Sequence, residues 1–297
     1  MRVIFLGTGA ALPDPDRCHT SILLTLLNGR HFLLDCGHGA TRQLLRVDVN
    51  PADVATLLLT HLHHDHVCEF PFFVISGWIL GRTGALAVHG PEGTKKLSSH
   101  LFEGGAFDAD IRARSAYPAR QANMEAIRPN VVEYGPGVVL QDQDIRITAE
   151  YVEHIPRATS PCFGFRIEAE GKVVVFSGDT QPCEGIARLS KDADLLIHEC
   201  TFPESFIEHR RKSGVGTFAH TSPSDLGRLA VDSRVKNVVA THIGHVDSLS
   251  PVLKRAAAKH MPVDLMGPHQ IDAFVRDIRA TYQGPLQIAH DLMRIDL

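Results

Sequence analysis

Several features that define common protein classes are absent from this chain of 297 residues. None of its six cysteines forms a C-x-x-C pair, so a cysteine-based structural zinc site is not expected. The longest uncharged run, residues 70–81, is well short of the ~20 residues needed to span a bilayer. Thirty Lys and Arg against 34 Asp and Glu give a net charge of −4, which excludes a strongly basic nucleic-acid grip as the main binding device.

Histidine is the residue type that stands out, because the chain contains 18 of them. Histidine is the commonest protein ligand of metal ions, so the grouping of these residues along the sequence matters. The remaining composition is ordinary for a soluble globular protein, with 44% apolar and 22% charged residues. The apolar start breaks at Gly7-Thr8-Gly9, which favours a first strand over a signal peptide. We therefore expect a cytoplasmic protein with reduced thiols and no membrane partner.

Short apolar runs alternate with helical stretches along the whole chain, which predicts a layered α/β fold. The predicted strands are Val3–Leu6, Ser21–Leu26, Phe32–Asp35, Thr56–Thr60, Ala85–His89, Ile145–Tyr151, Phe163–Glu168, Val173–Ser177, Leu195–His198, Val238–Thr241 and Leu286–Ala289. The predicted helices are Ala40–Arg46, Glu92–His100, Cys183–Leu189, Pro223–Asp232, Pro251–His260 and Ile271–Ala280.

Two pairs of segments repeat between the first and second halves of the sequence. Residues 29–35 resemble residues 171–176, because each segment is a turn glycine, a basic residue and an apolar strand. Residues 56–61 resemble residues 237–242, because each is an apolar strand that ends in Thr-His. We therefore predict a single domain over residues 1–297, built from two repeated halves that carry ligands on the loops at their strand ends.

The segment Thr60-His61-Leu62-His63-His64-Asp65-His66 follows a predicted strand and concentrates potential metal ligands. His61 and His63 are alternate residues, so both can point the same way, and Asp65 and His66 then turn towards a second position. Imidazole nitrogen and carboxylate oxygen suit zinc, manganese or iron. The segment therefore predicts a metal site at the end of this strand.

Three further ligand candidates, His154, Asp179 and His242, follow other predicted strands. The seven candidates are enough for two ions: one would take His61, His63 and His154, the other would take Asp65, His66 and His242, and Asp179 would bridge them. Metal coordination lowers the pKa of water towards ~7, so a hydroxide between the ions is the expected nucleophile. We predict two zinc ions per chain, with manganese or iron as alternatives.

These motifs resemble the metallo-β-lactamase superfamily, whose H-x-H-x-D-H motif matches residues 61–66. The sequence is most similar to the ribonuclease Z and arylsulfatase-like branch. Five more motifs carry that likeness, at residues 5–13, 34–37, 177–180, 198–202 and 291–293. The resemblance implies a four-layer αββα metallo-β-lactamase sandwich with the metals at one edge of two sheets, and a metal-dependent hydrolase that acts on ester bonds.

The segment His220-Thr221-Ser222-Pro223-Ser224-Asp225 precedes a predicted helix and has the residues of a helix start. Ser222 suits the N-cap, Pro223 the first helical position and Asp225 the third. The segment therefore places His220 near a helix N-terminus, where free amides and the helix dipole favour anions.

The resemblance implies catalytic roles for three residues. In related ribonucleases the histidine that matches His220 helps to bind or protonate the phosphate. Glu199 resembles the acidic residue of the family's His-Glu motif, and its expected role is to orient His220 or a metal ligand. Asp65 is expected to be both a metal ligand and part of the catalytic group.

The sequence departs from long-form bacterial ribonuclease Z in two places. That enzyme inserts a tRNA-binding arm between the positions of His154 and Asp179, where this chain has only 24 residues. The family's Thr-His-x-Ser-x-Arg-Tyr segment appears as residues 241–246, with Val246 in place of the arginine. We therefore expect a small anionic substrate, a phosphodiester or another phosphate ester or a sulfate ester, attacked by metal-bound hydroxide.

Other functions and the oligomeric state follow from the same observations. Processing of the tRNA 3′ end is the main alternative, and hydrolysis of a carboxylic ester or lactone is a weaker one. A metal-binding scaffold without activity is disfavoured, because all seven ligand candidates are retained. The resemblance and the apolar segment Phe70–Leu80 together predict a homodimer.

Overall fold

A computed structural model describes residues 1–212, 219–259 and 266–297 as two compact units. The first unit contains Met1–Gly7, His19–Gly135 and Leu292–Leu297, and the second contains Thr8–Cys18 and Pro136–Asp291. Each unit contains one seven-stranded sheet together with helices. The predicted α/β class is therefore confirmed.

The sheet of the first unit is mixed. In order across the sheet its strands are β14 (Arg294–Asp296), β1 (Arg2–Gly7), β2 (Ser21–Thr25), β3 (His31–Leu34), β4 (Val54–Leu58), β5 (Ala87–Gly90) and β6 (Asn130–Glu133). Neighbours from β14 to β3 are antiparallel, and neighbours from β3 to β6 are parallel. Parallel neighbours need crossover connections, which contain most of the helices of this unit. Those helices are α1 (Ala40–Arg46), α2 (His64–Val67), α3 (Phe70–Ile79), α4 (Thr94–Phe102), α5 (Asp108–Ser115) and α6 (Pro118–Gln121).

The sheet of the second unit has the same pattern. In order across the sheet its strands are β7 (Gly137–Gln141), β8 (Ile145–Val152), β9 (Cys162–Ala169), β10 (Lys172–Phe176), β11 (Leu195–Glu199), β12 (Val238–Thr241) and β13 (Leu286–Ile288). Neighbours from β7 to β10 are antiparallel, and neighbours from β10 to β13 are parallel. The described helices of this unit are α7 (Glu184–Ser190), α8 (Glu204–Lys212), α9 (Pro223–Asp232), α10 (Pro251–Ala257) and α11 (His269–Arg279).

The predicted elements are all present. Their ends differ from the predicted ends by at most two residues, with one exception. The helix Pro251–His260 was predicted to end at His260, and that residue lies outside the described residues. In both sheets three antiparallel pairs are followed by three parallel pairs. That residues 1–297 are a single domain built from two repeated halves stays a prediction.

The apolar segment after the metal-binding loop forms α3, and most of its side chains belong to the core of the first unit. Phe70, Phe73 and Trp78 are fully buried there. Burial of such side chains contributes about 1.5–3 kcal/mol each. The exposed remainder of the segment is small, with Phe72 59% and Leu80 45% exposed, so the homodimer stays a prediction. Among the described helices, none combines the length and the apolar character that a membrane crossing requires.

A polar network ties the loop Thr8–Cys18 to the end of the second unit. The Asp291 carboxylate accepts hydrogen bonds from the Thr8 hydroxyl at 2.8 Å and from the Cys18 N–H at 2.7 Å. Arg17 donates to Asp247 at 2.8 Å and to the Thr8 hydroxyl at 2.8 Å. These bonds hold the loop against the turn that follows β12, and they join the motifs at residues 5–13 and 291–293 in one network.

Candidate metal centre

The first group of ligand candidates lies between β4 and α2. A short loop brings the rings of His61 and His63 together with centroids 4.8 Å apart, and the rings of His61 and His66 with centroids 4.1 Å apart. His61, Asp65 and His66 are buried, whereas His63 is exposed. The loop and the first turn of α2 therefore gather three imidazoles and one carboxylate within the first unit.

Asp35 and Thr60 orient two of these imidazoles. Asp35 follows β3 with a left-handed φ of 56°, which Asp tolerates better than most residues. Its fully buried carboxylate accepts hydrogen bonds from the Thr60 N–H at 2.8 Å and from His66 Nδ1 at 2.7 Å. The Thr60 hydroxyl donates to Asp35 at 2.9 Å and so accepts from His61 Nδ1 at 3.0 Å. Both histidines therefore turn Nε2, with its lone pair, away from these partners.

Replacing Asp35 by Asn is expected to weaken metal binding by about 10–100-fold, the usual effect of losing such a partner. The amide keeps the size of the side chain, but its NH₂ group must face either the Thr60 N–H or the proton on His66 Nδ1. Competition with a chromogenic chelator would measure the metal affinity. Asp110→Asn is the control, because it removes only an exposed ion pair with Arg114. Wild-type affinity in a folded Asp35→Asn protein would contradict this role.

The second group of ligand candidates lies at three strand ends of the second unit. His154 follows β8, Asp179 follows β10 and His242 follows β12. His154 Nε2 and His242 Nε2 lie 3.6 Å and 3.2 Å from the same oxygen, Asp179 Oδ2. His154 Nδ1 donates to the Ala219 carbonyl at 2.9 Å, and His242 Nδ1 lies 2.8 Å from the Thr201 hydroxyl. One carboxylate oxygen therefore stands between two imidazole nitrogens, as a shared ligand would.

The chemistry of both groups fits a divalent metal ion. Nδ1 contacts a protein oxygen in four of the ligand candidates, so that Nε2 is the atom offered as a ligand: His61, His66, His154 and His242. Fixing the tautomer in this way is the usual arrangement around metal-binding histidines. Imidazole nitrogen and carboxylate oxygen are donors that zinc, manganese and iron accept. The structure therefore supports a divalent metal site in this part of the protein.

Glu199 is the centre of the hydrogen-bond network beside the second group. It ends β11 and is 1% exposed. Its Oε1 accepts from His220 Nδ1 at 3.0 Å and from the Thr221 N–H at 3.0 Å, and also from the Thr180 N–H at 3.2 Å. Its Oε2 accepts from the Thr201 hydroxyl at 3.0 Å and from the Thr201 N–H at 3.2 Å. These donors stabilise a charged carboxylate in a buried position.

The surroundings of His220 raise its pKa. Burial lowers the pKa of His220, but the charge and hydrogen bond of Glu199, with a further contribution from Asp179, outweigh burial and raise the pKa to about 9. The ring of His220 stacks on the ring of His242 with centroids 5.8 Å apart and lies 5.1 Å from that of His154. The second unit therefore holds a histidine with a raised pKa next to two of its metal-ligand candidates.

The helix start predicted after His220 is confirmed. Ser222 is the N-cap of α9, where its hydroxyl accepts a hydrogen bond from the Asp225 N–H at 3.2 Å, and Pro223 is the first helical residue. The side chain of His38 is 72% exposed and has Nδ1 3.7 Å from Glu69 Oε2. His38 is therefore placed at the surface of the first unit.

Three orienting residues, Asp35, Thr60 and Thr201, were not assigned from the sequence. All three nevertheless lie in segments with a recognisable pattern. Asp35 and Thr201 belong to the motifs at residues 34–37 and 198–202, and Thr60 begins the loop that contains the first ligand candidates. The family pattern marked these positions, but it did not show which imidazole nitrogen each residue contacts. That information depends on pairing between strands that are distant in sequence.

Comparisons with known proteins identify the family. The sequence profile of the family described as anti-Pycsar protein Apyc1 matches residues 1–242. The chain belongs to this family. It also aligns with ribonuclease Z from Mycobacterium bovis (strain BCG / Pasteur 1173P2), with 30% identity over 100% of this chain and 98% of the relative. The resemblance to the ribonuclease Z branch is therefore confirmed.

Solved structures show the same fold. The metallo-β-lactamase fold protein YhfI from Bacillus subtilis is similar with a TM-score of 0.70 and 19% identity, covering 99% of this chain and 98% of that one. The short form of human tRNase Z is similar with a TM-score of 0.69 and 21% identity, covering 100% and 99%. The predicted metallo-β-lactamase sandwich is confirmed. This member of the Apyc1 family is thus a metal-dependent hydrolase that acts on ester bonds.

Proposed function

We propose that this protein hydrolyses phosphodiesters at a centre of two divalent metal ions. The proposed ligand sets are His61, His63, His154 and Asp179 for one ion and Asp65, His66, Asp179 and His242 for the other. Asp179 would bridge the ions, which is supported by its oxygen standing close to Nε2 of both His154 and His242. The chemistry that such ions supply is activation of water and neutralisation of negative charge on the phosphate. Zinc is proposed because it accepts this donor set readily.

The pair formed by His220 and Glu199 is the observation that favours a phosphodiester substrate over a neutral ester. The buried Glu199 carboxylate holds a proton on His220 Nδ1 and keeps the imidazole charged. His220 can therefore offer its Nε2 proton to the leaving oxygen and attract the anionic ester. A poor leaving group, such as the alkoxide of a sugar, needs that proton most.

The first candidate substrate is the 3′ end of a precursor tRNA. The curated relatives that align over nearly all of this chain are named ribonuclease Z, which favours tRNA over the small ester expected from the sequence. The alignment with the Mycobacterium bovis relative has 303 positions and includes all of this chain, so the relative inserts only a few residues. The lack of a long arm between His154 and Asp179 does not, therefore, distinguish this chain from a relative of that name.

The second candidate substrate is a small phosphodiester. Two observations favour it, namely the match to a family that is not described as a ribonuclease and the replacement of the late arginine by Val246. Strands β9 and β10 fill most of the interval between His154 and Asp179. A small substrate needs fewer phosphate contacts than a tRNA, which suits a chain with a net charge of −4.

Turnover of both substrates by the zinc-loaded protein would decide between them. We expect accurate removal of the trailer from a precursor tRNA, with kcat/KM falling steeply as salt rises because phosphate contacts are lost. Aryl sulfate and carboxylic esters of the same phenol serve as controls and should react at least 100-fold more slowly than the phosphodiester. Cleavage of small phosphodiesters without cleavage of precursor tRNA would establish the second candidate. Absence of any phosphodiester hydrolysis would refute the proposal.

A further inference from the structure

The guanidinium of Arg210, on α8, lies over a pair of stacked aromatic rings, those of Phe202 and Phe206. The guanidinium carbon of Arg210 is 4.8 Å from the ring centroid of Phe202 and 5.7 Å from that of Phe206. The two rings are stacked with centroids 4.7 Å apart and planes 8° from parallel. A Cβ at Gly244 would lie 3.3 Å from the Phe202 ring and 2.7 Å from the Thr201 carbonyl oxygen, so glycine leaves room for this ring. The surroundings therefore fix the aromatic pair under Arg210.

The same aromatic pair touches the proton donor of the site. The ring of His220 meets the ring of Phe202 edge to face, with centroids 5.7 Å apart and planes at 88°. The ring of Phe202 therefore contacts both the Arg210 guanidinium and the ring of His220. This shared contact places the positive charge of Arg210 on the side of the site where His220 stands.

We propose that Arg210 is a specificity-determining residue that binds a negatively charged group on the leaving-group side of the substrate. The proposal rests on the proposed function, in which His220 faces the leaving oxygen. A guanidinium binds phosphate through two parallel hydrogen bonds, and stacking on aromatic rings holds its plane in place. The substrate class is an ester whose leaving part carries a second anion, such as the next phosphate of a nucleic-acid chain.

The neighbouring residue on α8 offers a matched control. Arg211 has the same charge as Arg210 and is exposed. Lys212, the next residue, is occupied by an ion pair with Glu208. Arg210→Met keeps the length of the stem over the rings and removes the charge, whereas Arg210→Lys keeps the charge and loses the planar group. Arg211→Met removes the same charge from the adjacent position.

The test uses two methyl aryl phosphodiesters whose leaving phenols have matched acidity, one phenol neutral and the other carrying a phosphonate. With the zinc-loaded protein, Arg210→Met should raise KM for the phosphonate ester about tenfold or more, the effect of losing a charged hydrogen bond. KM for the neutral ester should change less than twofold, and Arg210→Lys should recover part of the loss. Arg211→Met should change either value less than twofold. Equal effects of Arg210→Met on both esters, or no effect, would overturn the proposal.

A binding measurement separates this proposal from the proposed function. Calorimetric titration with the free phosphonate-bearing phenol requires no turnover, so it remains informative if neither ester is hydrolysed. We expect Arg210→Met to bind this phenol about tenfold more weakly than Arg211→Met, with equal metal content in the two proteins. Equal binding by the two variants, or no binding to the wild-type protein, would overturn the role of Arg210 even if hydrolysis is observed.

Discussion

Replacing Asp179 by Ala is expected to remove metal from the protein and to lower kcat on phosphodiesters by about 1000-fold or more. The side chain is the proposed bridge, and its oxygen lies 3.6 Å and 3.2 Å from the imidazoles of His154 and His242. Loss of several kcal/mol of transition-state charge stabilisation corresponds to a rate loss of that size. Metal content by plasma emission spectrometry should fall from about two zinc ions per chain in the wild-type protein to one or none.

Asp192→Ala is the matched control for Asp179. Asp192 belongs to the same unit, but its carboxylate is exposed and paired with Arg234 at 2.7 Å. Such surface pairs contribute about 0–1 kcal/mol, so metal content and activity should remain close to wild type. Two ions retained by a folded Asp179→Ala protein would refute the bridging role. A wild-type protein that takes up no transition metal on titration would refute the metal centre itself.

Replacing His220 by Ala is expected to lower kcat by about 100–10,000-fold for esters with poor leaving groups, while metal content stays unchanged. His220 is outside the proposed ligand sets, and its proposed role is to donate a proton. A series of phosphodiesters with leaving phenols of increasing acidity would measure the effect, which should shrink as the phenol becomes more acidic. Equal loss across the series would remove the role of proton donor from His220 and leave only a binding role.

The pH dependence gives a second test of His220. Glu199 and Asp179 raise the pKa of His220 to about 9 against the opposing effect of burial, so the proton is present at lower pH and is lost as the pH rises through that value. Bound cations offset the charge of Asp179, so the fall in kcat should lie between the ordinary histidine pKa of 6.5 and about 9. The fall should be absent from His220→Ala. A wild-type profile that stays flat through pH 10 would contradict this assignment.

The sequence predicted the central strands of both sheets and the edge strand β13, and it missed the three other edge strands. β6 and β7 are edge strands with mostly half-buried or exposed residues, and β14 at the other edge of the first sheet is similar. These three strands lack the fully buried apolar run that identifies a central strand. The helix α3 was also not predicted. Its apolar residues are buried on several sides, so the sequence lacks the 3.6-residue periodicity of apolar side chains that marks a surface helix.

The sequence by itself determined the family, the α/β class and the metal-ligand candidates at the strand ends, because these depend on residues that are adjacent in the chain. Only the tertiary structure decided how those side chains are oriented. The bond from His66 to Asp35, the five hydrogen bonds that Glu199 accepts and the stacking of Arg210 on Phe202 join residues on separate elements. Such contacts depend on strand register and on the direction in which each loop leaves its strand. A local sequence pattern contains neither.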